Sequence, residues 1–375
     1  MSPSAATVRY WDYLTEYAAR REEYLRVVDR VFSSGRLVLG REVESFEESF
    51  AAYCGVPRAV GVNSGTDAIF LALKALGIGP GAEVITVSNT AVPTVAAIRA
   101  TGATPVFVDV EEDTFLMDVN LIEGAISERT RCILPVHLCG QMADMLPLKA
   151  IANQRGLALV EDCAQACGAT YRGDRAGSIG DVGAFSFYPT KILGAFGDGG
   201  MMITSNPELA AKLKRLRFYG MAGDYYAEEE GFNSRLDEVQ AALLNFKLTS
   251  VDAAVVKRRR IAGIYDDGLA GIGDLGVPAV REQCQHQYYL YTIRTGFRAE
   301  LMEFLRGEGI ETKINYPHPI HLMRGYSFLG YREGDLPVTE RLARTIVSLP
   351  IYPELPEEEV LRVVASVGKF FRGGR

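Results

Sequence analysis

The chain has 375 residues, 48% of them hydrophobic and 23% charged, with a formal net charge of −7 at pH 7. This is ordinary globular composition, and the length suits two domains or one large α/β core with a smaller lobe. Acidic and basic residues are mixed along the chain and leave no nucleic-acid footprint; the basic run Lys257-Arg258-Arg259-Arg260 falls in a helical pattern and reads as a solvated helix face.

The N-terminal stretch carries acidic residues early and has no apolar core, so it is neither a signal peptide nor a membrane span. No later stretch reaches the length needed to cross a bilayer, and the expected location is the cytoplasm. Residues 10–34 follow a helical period, with Tyr13, Tyr17, Tyr24, Val27, Val28 and Val31 able to share one face and Ser33-Ser34-Gly35 ending the helix. Val43 to Tyr53 is a second helix, with Phe46 and Phe50 one turn apart. Asn63-Ser64-Gly65-Thr66-Asp67-Ala68 then runs into an apolar helix. Ser64, Thr66 and Asp67 are cap-type residues, and the free N–H groups of such a first turn attract an anion by about 0.3–1 kcal/mol. A purely structural cap is the alternative reading of this turn.

From there strand and helix alternate. Strands are expected at 83–87, 105–110, 132–138 and 157–160, and helices at 93–100, 121–126 and 146–155. This alternation argues for a mainly parallel sheet covered by helices on both faces, with ligands collecting beyond the carboxyl ends of the strands. Asp109, His137 and Asp162 fall near such ends. So does Lys191, in the loop Ser186-Phe187-Tyr188-Pro189-Thr190-Lys191 between apolar strands at 182–187 and 201–204. Gly194, Gly197, Gly199 and Gly200 follow, letting the backbone approach a ligand closely. A lysine at a strand exit beside an apolar wall suits Schiff-base chemistry, because burial lowers an amine pKa from about 10.4 and frees the neutral nucleophile. A solvated loop lysine is the alternative from this stretch alone.

Helices are expected at 207–218, from 234 onward, and at 251–269, with a polar, aromatic-rich loop at 219–231. Strands near 288–294, a helix near 299–307, the loop Asn315-Tyr316-Pro317-His318-Pro319-Ile320-His321 and a helix at 357–371 complete the chain. The expected division is a large α/β domain at 1–249 and a small α+β domain at 250–375, with the N-terminal helix able to pack on the small one. The six cysteines, at 54, 132, 139, 163, 167 and 284, form no disulfide framework, and neither Cys163/Cys167 nor His137/Cys139 has zinc-site spacing. No metal is expected.

An anion-binding turn, an acid at a strand end and a Ser-x4-Lys loop, in that order, describe a pyridoxal 5′-phosphate site. Lys191 would form an imine with the cofactor aldehyde, Asp162 would keep the pyridine nitrogen protonated so that the ring acts as an electron sink, and Gly65, Thr66 and Ser186 would hold the phosphate. Six segments stand together: Gly65-Thr66-Asp67-Ala68, Pro135-Val136-His137-Leu138, Glu161-Asp162-Cys163-Ala164-Gln165-Ala166, Ser186 to Lys191, Gly197-Asp198-Gly199-Gly200 and Asn233-Ser234-Arg235-Leu236-Asp237-Glu238. On these the chain resembles the DegT/DnrJ group of sugar-nucleotide aminotransferases over nearly its whole length.

The resemblance implies a type I pyridoxal-phosphate transferase fold, α/β with a mainly parallel mixed sheet and a small C-terminal α+β domain. It implies that Gln165 lies against the cofactor ring near its hydroxyl, and that Asn233 reaches the cofactor phosphate of the partner subunit, so that active sites are shared in a homodimer. Tyr188, Tyr316 and His321 would line the substrate pocket. Asn89 to Thr94, Tyr316-Pro317-x-Pro-x-His321 and Gly334 to Arg341 look most like the subgroup making 3-amino deoxysugars. The implied reaction moves an amino group from L-glutamate to C3 of a dTDP-linked keto-deoxysugar. Amination at C4, a keto-cyclitol substrate, and a non-catalytic regulatory protein of the same fold are the alternatives. Three positions depart from the group's pattern: Ala91 where many relatives stack an aromatic ring on the cofactor, Cys167 where many have His, and Asn315 where many have His. Related dehydratases replace the lysine with His, and no Gly-x-Gly-x-x-Gly run supports a nicotinamide enzyme.

Overall fold

The structure is a computed structural model and describes residues 7–373. Seven strands make the central sheet: β1 (Arg58–Val62), β2 (Glu83–Val87), β3 (Thr104–Val108), β4 (Thr130–Ile133), β5 (Ala158–Asp162), β6 (Val182–Ser186) and β7 (Gly200–Thr204), in the order β1-β7-β6-β5-β4-β2-β3. β7 runs antiparallel to β1 and β6, and every other pair is parallel. All five residues of β2 and of β7 are buried, as continuous apolar strands covered on both faces must be. The carboxyl ends of β2, β4, β5 and β6 therefore open on one edge, where β7 begins.

The longer helices are α1 (Tyr13–Ser33), α2 (Arg41–Cys54), α3 (Gly65–Ala75), α4 (Val92–Ala100), α5 (Met145–Arg155), α6 (Pro207–Leu216), α7 (Glu238–Leu248), α8 (Val251–Leu269), α9 (Arg298–Gly307), α10 (Pro337–Thr345) and α11 (Glu357–Arg372). No single described helix is long and apolar enough to cross a membrane. β1 and α10 were not anticipated. β1 is a short run broken by Gly61, and it becomes a strand because β7 pairs along its whole length, Arg58 opposite Thr204 through Val62 opposite Gly200. α10 is started by a distant acid: both carboxylate oxygens of Asp109 accept N–H groups of its first turn, from Val338 and Thr339 at 2.8 Å each. Asp109 is thus a cap and not a ligand group. Glu238 acts likewise on α2, accepting the N–H groups of Gly40, Glu42 and Val43 at 2.8, 3.0 and 2.9 Å.

One apolar core surrounds the sheet. A second is built from α8, α9, α11 and the hairpin-like pair β8 (Tyr291–Arg294) and β9 (Ile346–Leu349), with Tyr265, Ile293, Leu301, Val347 and Val363 fully buried. Helix α1 does not pack on this second core. Its buried face, Tyr24, Val27 and Val31, meets Ala242 and Leu243 of α7, while the extended segment before it docks there through Val8, which pairs with Ile310. Residues 315–346 return to the large sheet: Ile320 and Leu336 pack on Val95 and Phe107, and Leu342 joins the first core. Crossing of the chain between cores holds the loop at 315–317 against the sheet edge.

Candidate active site

At the carboxyl edge lies a cavity of about 350 Å³. Gly65, Thr66, Asp162, Gln165, Ser186, Tyr188, Lys191 and Tyr316, eight of the ten residues singled out from the sequence, line it. Ser64 caps α3 by accepting the Asp67 N–H at 3.1 Å, which leaves the N–H groups of Gly65 and Thr66 without intrahelical partners. They stand beside Ser186 at the end of β6. The approach is so close that a Cβ on Gly65 would come 2.5 Å from Ser186 Cβ, and one on Gly200 would come 2.3 Å from the Ser64 carbonyl oxygen. Only glycine permits this packing of helix start against strand ends, and it forms a cradle of N–H and O–H donors of the kind a phosphate needs.

Asp162 closes the other end. It is 3% exposed, with Oδ2 accepting from Thr94 Oγ1 at 2.8 Å and Oδ1 accepting from the Ala164 N–H at 3.0 Å. Burial pushes its pKa up, against the Thr94 and Ala164 hydrogen bonds and the positive charge of Lys191. A buried carboxylate in that condition is poised for a cation, and a protonated ring nitrogen is such a partner. Thr94 itself is held by Thr90 at 2.9 Å. Neither threonine had been given a role; the available signal was hydroxyl residues opening α4 directly after the end of β2.

Gln165 accepts the Cys139 N–H at 2.8 Å and donates to the Tyr316 hydroxyl at 3.0 Å, joining the sheet edge to the 315–317 loop. Burial pushes the Tyr316 hydroxyl pKa up strongly. Lys191 is half-buried. Its N–H donates to the Tyr188 carbonyl at 2.8 Å, and its Nζ sits 4.4 Å from the centroid of the Tyr289 ring. The Tyr289 hydroxyl is 3.0 Å from Thr190 Oγ1. Tyr289 was missed by sequence reasoning, since it lies 98 residues beyond Lys191 and its own segment reads as a buried strand.

Two of the predicted residues lie outside this cavity. His321 is 1% exposed; its Nδ1 is 2.7 Å from Ser88 Oγ and its Nε2 is 3.2 Å from Glu340 Oε1. It pins the return loop from behind and does not line the pocket, which corrects the expectation for it. Asn233 is exposed and stands apart from its own chain's cavity. His137 also serves structure. Its Nδ1 accepts the Ala143 N–H at 3.1 Å, so Nε2 carries the proton and donates to Glu161 at 2.8 Å. His137, Glu161 and Cys163 come within 4.8 Å of one another, but Glu161 already accepts from His137 and from the N–H groups of Gly177, Ile179 and Gly180.

Donor cradle, buried acid and amine in one cavity, on a seven-stranded sheet with one antiparallel strand, define a pyridoxal-phosphate transferase. The model of the DegT/DnrJ/EryC1/StrS aminotransferase family matches residues 18–368, and the chain belongs to that family. It is 50% identical over 372 residues, 98% of this chain and 100% of the relative, to a dTDP-3-amino-3,4,6-trideoxy-alpha-D-glucose transaminase of Micromonospora megalomicea subsp. nigra. It is 44% identical, over 96% of this chain and 98% of the relative, to a pleiotropic regulatory protein of Geobacillus stearothermophilus. The crystal structure of S. venezuelae DesV in complex with a ketimine intermediate superposes with a TM-score of 0.96 at 47% identity, covering 98% of this chain and 99% of that one.

Proposed function

We propose that this protein is a pyridoxal 5′-phosphate-dependent aminotransferase that moves an amino group from L-glutamate to C3 of a dTDP-linked keto-deoxysugar, releasing 2-oxoglutarate. The observation that carries the reading is the convergence of Gly65, Thr66 and Ser186, Asp162 and Lys191 on one cavity. The 50% identity to a dTDP-3-amino-sugar transaminase supports the substrate class. The working unit is a cytoplasmic homodimer. An exposed Asn233, outside the lining of its own cavity, is free to reach the partner's phosphate cradle.

Pyridoxal 5′-phosphate, when bound, supplies an aldehyde for amine exchange and a protonated ring that takes up an electron pair. The α3 N–H groups and Ser186 would hold its phosphate, and Gln165 would lie along the ring. Asp162, buried and hydrogen-bonded by Thr94 and Ala164, would keep the ring nitrogen protonated. Lys191 would hold the cofactor between turnovers, and its freed amine would move the proton in each half-reaction, a role worth about 10²–10⁴-fold. Tyr188 and Tyr316 form the wall toward the sugar.

Incubating the enzyme with L-glutamate and a panel of 3-keto and 4-keto dTDP-sugars, and locating the new amine by NMR, tests the assignment. A C3 amine is expected; a C4 amine moves the enzyme to the other regiochemistry. Borohydride reduction should fix the cofactor to the peptide containing Lys191 and leave Lys191→Ala unlabelled. The likeness to a regulatory protein favours a second reading, a ligand-responsive regulator, and a purified chain that stays colourless with added cofactor would support it.

A further inference from the structure

Past Tyr289 the cofactor cavity meets a second chamber of about 200 Å³, and Tyr188, Thr190 and Tyr289 line both. The charged groups lining this chamber are Arg258 and Lys313, both cations. Arg258 is 4% exposed. Its Nη1 donates to the carbonyls of Tyr288, Tyr289 and Ile351 at 3.1, 3.3 and 2.9 Å, and its Nε meets no acceptor. Glu16 and Glu354, the acids whose charge it feels, line a neighbouring cavity of mixed charge that shares Trp11 and Arg258 with this chamber but not Lys313, and Glu16 is already paired with Lys247 at 2.9 Å. Lys313 rests its Nζ 5.2 Å from the centroid of the Tyr10 ring. Among the described residues neither cation has a carboxylate partner.

A buried cation without an anion is costly. Burial accordingly pulls the Arg258 pKa down to about 10. The cofactor's phosphate cradle offers an anion N–H and O–H donors, whereas this chamber offers two cations. Its volume is a little over half that of the cofactor cavity, room for a small dicarboxylate. Tyr188, Thr190 and Asn315 add neutral hydrogen-bonding groups. At its mouth lies Tyr289, with the Lys191 amine over its ring.

We propose that this chamber is the carboxylate subsite of the amino donor, a dicarboxylic amino acid of the glutamate class, gripped by Arg258 and Lys313 with its amine directed past Tyr289 toward the cofactor cavity. The inference rests on the transaminase reading above. Trp11 is the chain's single tryptophan and lines the chamber, so its fluorescence reports occupancy without any turnover. The holoenzyme is titrated with glutarate, a dicarboxylate that has no amine to react, and separately with dTDP.

A saturable Trp11 response to glutarate is expected, none to dTDP, and a Kd about ten-fold weaker in Lys313→Met, the loss of one charge-assisted contact. Arg258→Lys should fall between the two. Lys313→Met removes no side-chain ion pair of the described structure, and an unchanged unfolding midpoint will show that it folds. Equal glutarate affinity in wild type and Lys313→Met overturns the subsite, and so does a response to dTDP without one to glutarate. Cofactor absorbance on adding L-glutamate is followed in parallel. A normal absorbance change with Trp11 silent overturns the subsite alone, whereas no change with any amino donor overturns the transaminase reading and the subsite with it.

Discussion

Glu161 and Asp162 are neighbours at the end of β5, 0% and 3% exposed, and their side chains leave the strand on opposite faces. On one face Glu161 accepts from His137 Nε2 and from the N–H groups of Gly177, Ile179 and Gly180. Burial pushes its pKa up, but the hydrogen bond from His137 and the backbone donors outweigh this and hold it below the ordinary glutamate value. On the other face Asp162 accepts from Thr94 and Ala164 only, and burial wins. A carboxylate has about four lone-pair sites. The acid whose sites are filled by its own chain is a structural tie between β5 and the 177–180 turn. The acid left short of partners, facing a cavity, is reserved for a cation from outside.

Removing the acids separates the two roles. Glu161→Ala strands three backbone N–H groups and His137 in the core and should cost about 3–5 kcal/mol of folding stability by denaturant unfolding, with activity per folded molecule near wild type. Asp162→Asn should do the reverse: it loses no folding stability, while kcat falls about 10²–10³-fold, the loss typical of one preorganised electrostatic group. Equal effects on both quantities in both variants would break the distinction.

A smaller effect tests whether Thr94 belongs to the functional face. Thr94→Val deletes the hydroxyl on Asp162 Oδ2 and should lower kcat about ten-fold, with Thr94→Ser restoring most of it. A fall in stability with kcat unchanged would assign Thr94 to the core.

The smallest effect is a pH dependence of opposite sign at the two acids in the cofactor-free protein. Glu161 has its pKa lowered by folding, so its contribution is present above the unfolded value of 4.5 and is lost as pH falls through the folded one. Asp162 has its pKa raised, so its contribution is present below the unfolded value of 3.8 and is lost as pH rises through the folded one. Stability curves measured across the acid range should therefore flatten at low pH in Glu161→Gln. In Asp162→Asn the gain over wild type should grow with rising pH and then level off.

Much of the cofactor site was legible because its residues sit in short, locally specified segments. Ser64 to Asp67 is a helix cap, Asp162 to Gln165 a strand exit, and Ser186 to Lys191 a turn between two apolar strands; each is described by its own spacing. Thr94 and Tyr289 were missed because their neighbours on the chain give no sign of what they face. Asp109 and His137 could only be placed near strand ends, a position equally compatible with capping a helix 229 residues away or with tying down a neighbouring acid. His321 was placed in the pocket by its motif, and the structure turns it onto Ser88 and Glu340 instead.

The sequence by itself determined the alternating α/β plan, the parallel sheet and most of the residues that line the cavity, since hydrophobic period, caps and glycines act over a few residues. Tertiary structure alone decided that Thr94 holds Asp162 at the cavity, how residues 315–346 return to the sheet edge, and that Arg258, written in a basic run that reads as solvated, ends buried without an anion. These depend on contacts between residues 30 to 233 positions apart, such as Arg258 with Tyr288, Thr94 with Asp162 and Ser88 with His321. Local preference carries no information about such pairs, and packing of the two cores against one sheet edge creates them.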